Sequence, residues 1–130
     1  MSINPSDPGR ISWIDLTVPN AASLRDFYTS VVGWSSTTFD IGEHQDFCVH
    51  APGDEKPVAG ICHAANDNAA LPPVWLIYVN VADLDASLKR VIELGGAILD
   101  GPRGMGPMGR FAAIRDPAGA ALALFEPRKS

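Results

Sequence analysis

Apolar and polar residues alternate along residues 11 to 18, with Ile14, Leu16 and Val18 on one face and Trp13, Asp15 and Thr17 on the other. This predicts a strand with one packed face and one face available for other work. From Asn20 the period lengthens. Leu24, Phe27, Tyr28 and Val31 recur at helical spacing, Asn20 stands at the N-cap, and Gly33 sits where a left-handed stop belongs. Segments 35–40, 45–51 and 57–63 follow as strand-length pieces, the last two separated by the turn signal Pro52-Gly53-Asp54. Residues 1–9, with Pro5, Pro8 and Gly9, read as an irregular arm.

After a polar, alanine-rich stretch the plan restarts. Val74 to Val81 reads as a strand, Asp83 caps a helix with the stripe Leu84, Leu88, Val91 and Leu94, and Gly95-Gly96 ends it. Strand-length pieces 97–100, 110–115 and 120–125 complete the half, with Asp116-Pro117-Ala118-Gly119 turning between the last two. Val18 and Val81, Asn20 and Asp83, Val31 and Leu94, and Gly33 and Gly96 each stand 63 positions apart, the signature of a duplicated unit. The expected architecture is therefore α+β: one domain over residues 1–130, built from tandem βαβββ modules at 10–63 and 74–127 joined by a linker at 64–73. Helices on the outer faces would leave a cupped, eight-stranded mixed sheet around a cavity.

Composition narrows the partners. The chain has 130 residues, room for one ordinary domain, and carries ten basic against fifteen acidic residues for a net charge of −5. The basic residues are scattered, which argues against nucleic acid and anionic membrane. No apolar run is longer than Val74 to Val79, far short of the roughly 18 residues that span a bilayer. The opening residues lack an apolar secretory stretch, and Cys48 and Cys62 suit free thiols, so the expected compartment is the cytoplasm.

The stretches WIDLTVPNAASLRDFYTSVVGW, PVAGICHA, WLIYVNVADLDA and GRFAAIRDPAGAALALFEP resemble the glyoxalase/bleomycin-resistance/extradiol-dioxygenase superfamily, the vicinal oxygen chelate proteins, over residues 10–127. The resemblance implies a scaffold that hosts lyases, isomerases, dioxygenases, epimerases, thiol transferases and drug-sequestering proteins. It also implies a divalent ion held by His or Glu on the first and last strand of each half. Carried onto this chain, those positions are Trp13, Gly60, Leu76 and Ala123. None has a side-chain ligand atom for such an ion, so neither metal nor other cofactor is expected. The alternative donors are Cys48, His50, Cys62 and His63. Against them stands the reading that the cysteines are small core residues and that His44, His50 and His63 lie in or near loops.

What replaces the ligands is the strongest clue. The inward face gathers Trp13, Asp15 and Thr17 with Leu76, Tyr78 and Asn80, beside Cys62 and the small Gly60, Ala121 and Ala123. Such a surface suits an apolar or aromatic organic molecule, aromatic or carbonyl-bearing, held by a few polar contacts, with Arg110 available to an anionic group. The alternative is an enzyme of the same superfamily, of lyase, isomerase or dioxygenase type. It would use Asp15 as general base and Tyr78 as proton donor, or unorthodox metal ligands. Asp15 also reads as an ordinary hydrogen-bonded carboxylate, and Trp13 as a filler that plugs the cavity and leaves a pure interaction domain. Gly104-Met-Gly-Pro-Met-Gly109 matches a dinucleotide-loop spacing but leads into a β-pattern, so it reads as a rim loop carrying Met105 and Met108. Two helices are few for eight strands, and a homodimer is expected to cover what remains.

Overall fold

The structure, a computed structural model, describes residues 4–41, 44–65 and 68–128. Its elements are β1 (Ile11–Val18), α1 (Ala21–Val32), β2 (Ser35–Ile41), β3 (His44–His50), β4 (Pro57–His63), β5 (Leu76–Asn80), α2 (Leu84–Glu93), β6 (Ala97–Gly104), β7 (Gly109–Arg115) and β8 (Ala121–Pro127). A short 3-10 turn, Gly106–Met108, separates β6 from β7. The chain forms two compact units, one spanning Ile14–Trp75 and the other Leu76–Ser130 together with Met1–Trp13. The strands are of mixed direction and each half contributes one βαβββ module, the α+β arrangement expected from the duplication.

In the first unit the strand order is β2-β3-β4-β1, with β1 parallel to β4 and the other pairs antiparallel. The alternation in β1 sends Leu16 and Val18 to the helix side, where they form a core with Ala21, Phe47, Val49, Ala59 and Ile61. Leu24 and Tyr28 of α1 pack on that core, but Phe27 and Val31 are 55% and 64% exposed, so the buried stripe is narrower than the spacing predicts. Tyr28 lies between Trp34 and Trp75, with ring centroids 5.7 and 5.2 Å away, and accepts a hydrogen bond from Trp75 Nε1 at 3.1 Å. Gly33 ends the helix at φ 85°, its amide donating to the Thr29 carbonyl. Asn20 occupies the N-cap position, yet its side chain makes no capping bond.

In the second unit the order is β5-β8-β7-β6, with β5 parallel to β8. The duplication extends to register: Asp15 pairs with Gly60, and Tyr78 pairs with Ala123, each 63 positions further on. Leu84 and Leu88 of α2 pack on Ala112, Ile114 and Leu124, whereas Leu94, the last residue of the expected stripe, is the C-cap and stays exposed. Asp83 caps α2 by accepting from the Ala86 amide at 3.1 Å, and Glu126 Oε1 takes the Leu84 amide at 2.9 Å.

Of the boundaries that depart from the sequence reading, two have a visible cause. β5 begins at Leu76 because Pro72, Pro73 and Val74 are turned back on themselves, the Val74 amide donating to the Pro72 carbonyl. β6 continues to Gly104 although the sequence reading ends the strand at residue 100. Register shifts between Ile98 and Arg103, around the cis Gly101-Pro102 bond, let the strand absorb a proline and glycines and still pair with β7. Gly104 to Gly109 then close a tight β6–β7 connection, with the Met105 amide donating to the Gly109 carbonyl at 2.7 Å.

Candidate functional site

In the second unit, the face opposite α2 carries two side-chain rows set by the registers. Tyr78, Ala123, Ala113 and Asp100 form one, and Asn80, Phe125, Phe111 and Arg103 the next. The Tyr78 and Phe111 rings meet with centroids 5.9 Å apart and planes tilted by 42°. The Arg103 guanidinium lies over Phe111, 4.8 Å from the ring centroid, and pairs through Nη2 with Asp100 Oδ2. A continuous aromatic and charged strip results. Ala113 and Ala123, both fully buried, place no bulk beside Tyr78, and Leu76 is buried on the same strand.

Asn80 lies on this face, with its side chain committed to holding the arm. Its Nδ2 donates to the Pro5 carbonyl at 2.8 Å and the Asp7 carbonyl at 3.3 Å, and its backbone bonds to Gly9 and Arg10. Trp13 is half-buried beside Ser12, whose hydroxyl donates to the Tyr78 carbonyl at 3.4 Å. Arg110 stands on the opposite, helix-side face, ion-paired to Asp85 at 3.2 Å and Glu126 at 3.5 Å. The alternation in β7 that brings Phe111 to the strip turns Arg110 away from it. A groove of about 360 Å³ also opens on the helix side, lined by Val81, Val91, Leu94, Ile114, Pro117 and Leu124, and none of the expected site residues lines it.

In the first unit, Asp15 and Thr17 are buried on the face opposite α1, across from Gly60 and Cys62, with Cys48 opposite Gly60 on the other side. The Cys62 thiol donates to Asp15 Oδ2 at 3.9 Å. Burial, then the negative charges of Asp15 and Asp46, push the Cys62 thiol well above its ordinary pKa, outweighing the hydrogen bond with Thr17 that favours the thiolate. Burial also raises Cys48. His50, at the end of β3, is buried against Thr37, Nε2 to Oγ1 3.2 Å, and the His63 amide donates to Asp46 Oδ1 at 2.8 Å. The histidines thus stand at strand ends, beside loops: His44 begins β3, its side chain lying outside the description, His50 ends β3, and His63 ends β4.

The donor set does not fit the divalent ion of the resembled superfamily. Trp13, Gly60, Leu76 and Ala123 offer no side-chain ligand atom. Among the described residues no group of three or more His, Cys, Asp or Glu side chains is placed to hold an ion.

Sequence reading missed Phe111, Ala113, Arg103 and Asp100. The first two were available from the alternation in GRFAAIRDP, since Phe111 and Ala113 share the parity that faces Ala123. Arg103 and Asp100 were hidden by the bulged register of β6, which breaks simple alternation.

Comparison with known proteins gives a consistent answer. The model of the Glyoxalase/Bleomycin resistance protein/Dioxygenase superfamily matches residues 10–124. An anthracycline biosynthesis protein, DnrV, from Streptomyces peucetius is 33% identical over 133 aligned positions, covering 91% of this chain and 47% of that protein. The chain thus spans about half the length of the curated relatives it matches. Among solved structures, a methylmalonyl-CoA epimerase from Mycobacterium tuberculosis superposes with a TM-score of 0.55 at 19% identity, covering 92% of this chain and 90% of that one. A Streptomyces coelicolor methylmalonyl-CoA epimerase in complex with 2-nitronate-propionyl-CoA superposes at 0.59 with 17% identity, covering 95% and 100%. At such identities the structural likeness speaks for the fold alone. With the family model matching most of its length, the chain belongs to the glyoxalase/bleomycin resistance protein/dioxygenase superfamily.

Proposed function

We propose that the chain binds a small organic molecule, aromatic or carbonyl-bearing, on the helix-free face of the second unit, without the metal chemistry of its superfamily. The observation that carries this reading is the Tyr78–Phe111 ring pair set beside Ala113 and Ala123, an aromatic wall next to positions stripped of bulk. The name of the Streptomyces peucetius relative, an anthracycline biosynthesis protein, fits an aromatic ligand. Leu76 and Trp13 extend the apolar surface, and Asp15, Thr17, Gly60 and Cys62 form the corresponding polar face of the first unit. Titration of the protein with 2-acetylnaphthalene by calorimetry tests this. Saturable binding, weakened at least tenfold in Phe111→Leu while the fold is retained, supports it; no binding at millimolar probe overturns it.

A second reading, an enzyme acting without metal, is favoured by the buried carboxylate of Asp15. It requires turnover of a carbonyl or aromatic substrate that Asp15→Asn abolishes with binding kept.

The dimer is proposed on the exposed apolar side chains of Phe27, Val31 and Val32 on α1, and on relatives about twice the length of this chain. Light scattering on eluting protein checks it. No helix among the described residues is long and apolar enough to cross a membrane, and the two free cysteines suit the reducing cytoplasm proposed as its compartment.

A further inference from the structure

Arg103 is the one guanidinium of the aromatic strip, and its bonding is incomplete. Nη2 is taken by Asp100 and the guanidinium face by Phe111, while Nε is buried without a hydrogen-bond acceptor. A buried N–H left without an acceptor costs free energy that a ligand oxygen would recover on binding. The charge of Arg103 is already balanced by Asp100, whose side chain is only 11% exposed, so the pair presents a directed donor without a net positive charge.

Those two facts select the ligand. A carboxylate or phosphate brought to Arg103 Nε would meet the field of Asp100 and would lose its own hydration for no net Coulomb gain. A ketone or quinone oxygen carries no such cost, needs one donor, and accepts best from a charged N–H. The guanidinium lies over the Phe111 ring, and Tyr78 meets Phe111 in turn, so an oxygen borne directly on an aromatic system suits both the donor and the aromatic wall.

We infer that the second unit recognises a neutral aryl ketone or quinone, with Arg103 Nε donating to its carbonyl oxygen and Asp100 acting as the residue that excludes anionic analogues. This deepens the binding function proposed above and rests on it. Arg103 and Asp100 are specificity residues here and need take no part in chemistry.

The test uses three probes of one shape: 2-acetylnaphthalene, 2-naphthoate and 2-ethylnaphthalene, titrated into the intact chain. In the native protein the ketone binds about tenfold tighter than the hydrocarbon, the scale of one hydrogen bond to a charged donor, and the carboxylate binds weakest. Asp100→Asn keeps the donor and uncovers the positive charge, so 2-naphthoate gains tenfold or more while the ketone changes less than threefold. Arg103→Met removes the preference for ketone over hydrocarbon. Binding of all three probes with no discrimination, or an unchanged ratio of acid to ketone in Asp100→Asn, overturns the assignment alone. Failure of every probe to bind, the hydrocarbon included, overturns the binding function and this assignment with it. Unchanged thermal unfolding of Asp100→Asn separates a loss of recognition from a loss of fold.

Discussion

Asp15 Oδ2 stands 3.9 Å from Cys62 Sγ, across the parallel β1–β4 pair, and so places a carboxylate against a buried thiol. Burial and this carboxylate both keep Cys62 protonated in the folded chain, whereas in the unfolded chain it ionises near its ordinary value of 9.0. The unfolded state therefore loses a proton that the folded state retains, and stability falls as pH rises above that value. Each pH unit past it costs about 1.4 kcal/mol from this one group. Urea unfolding at pH 8 and pH 10 should show a steeper alkaline loss in the native chain than in Cys62→Ala, by about that amount. Equal slopes would mean that the thiolate is tolerated in the fold.

The sequence pattern reached this relationship only halfway. Alternation along β1 and β4 put Asp15, Thr17 and Cys62 on one face, because period-2 side-chain placement follows from backbone geometry alone. Which residue stands opposite which depends on strand register, and that comes from the whole sheet: Gly60 pairs with Asp15, not with Trp13. The same limit explains Arg103. Its strand is bulged at Asp100 and carries Pro102, both of which erase the periodicity that made the other strands legible. Arg110 shows the converse, since strict alternation within β7 already implied that it and Phe111 face opposite ways.

The two helix starts look alike in sequence and differ in the structure. Asp83 accepts a hydrogen bond from the Ala86 amide, whereas the Asn20 side chain caps nothing. Asp83→Ala should cost about 1 kcal/mol, the usual worth of a cap, and Asn20→Ala less than about 0.5 kcal/mol. Chemical denaturation of both variants side by side decides; equal losses would contradict the observed caps.

Asn80 ties the amino-terminal arm to β5 through hydrogen bonds to the Pro5 and Asp7 carbonyls. Asn80→Ala should release residues 4–9 and raise amide exchange there, with little change in α2 or β7. Asn80→Asp should do so more strongly, because a carboxylate cannot donate and would face two carbonyl oxygens. Hydrogen exchange resolved by peptide checks this, and protection of the arm that is indifferent to both substitutions would show that Asn80 does not anchor it.

Gly109, at the start of β7, has φ +140°, and a Cβ placed on it would lie 2.1 Å from the Glu126 carbonyl oxygen. That is a backbone contact, which no rotamer change relieves, in a conformation that residues with side chains avoid. Glu126 also caps α2 through Leu84 and pairs with Arg110, so a displacement of β8 at this point reaches the helix. Gly109→Ala should therefore lose about 2 to 4 kcal/mol, overpacking and backbone strain together. Gly104, five residues earlier, has nothing within 4 Å of the equivalent Cβ and no positive φ, so Gly104→Ala should stay within about 0.5 kcal/mol of the native chain. Paired denaturation curves give the answer: a mild Gly109→Ala, comparable to Gly104→Ala, would mean that the β7–β8 approach at Glu126 yields freely.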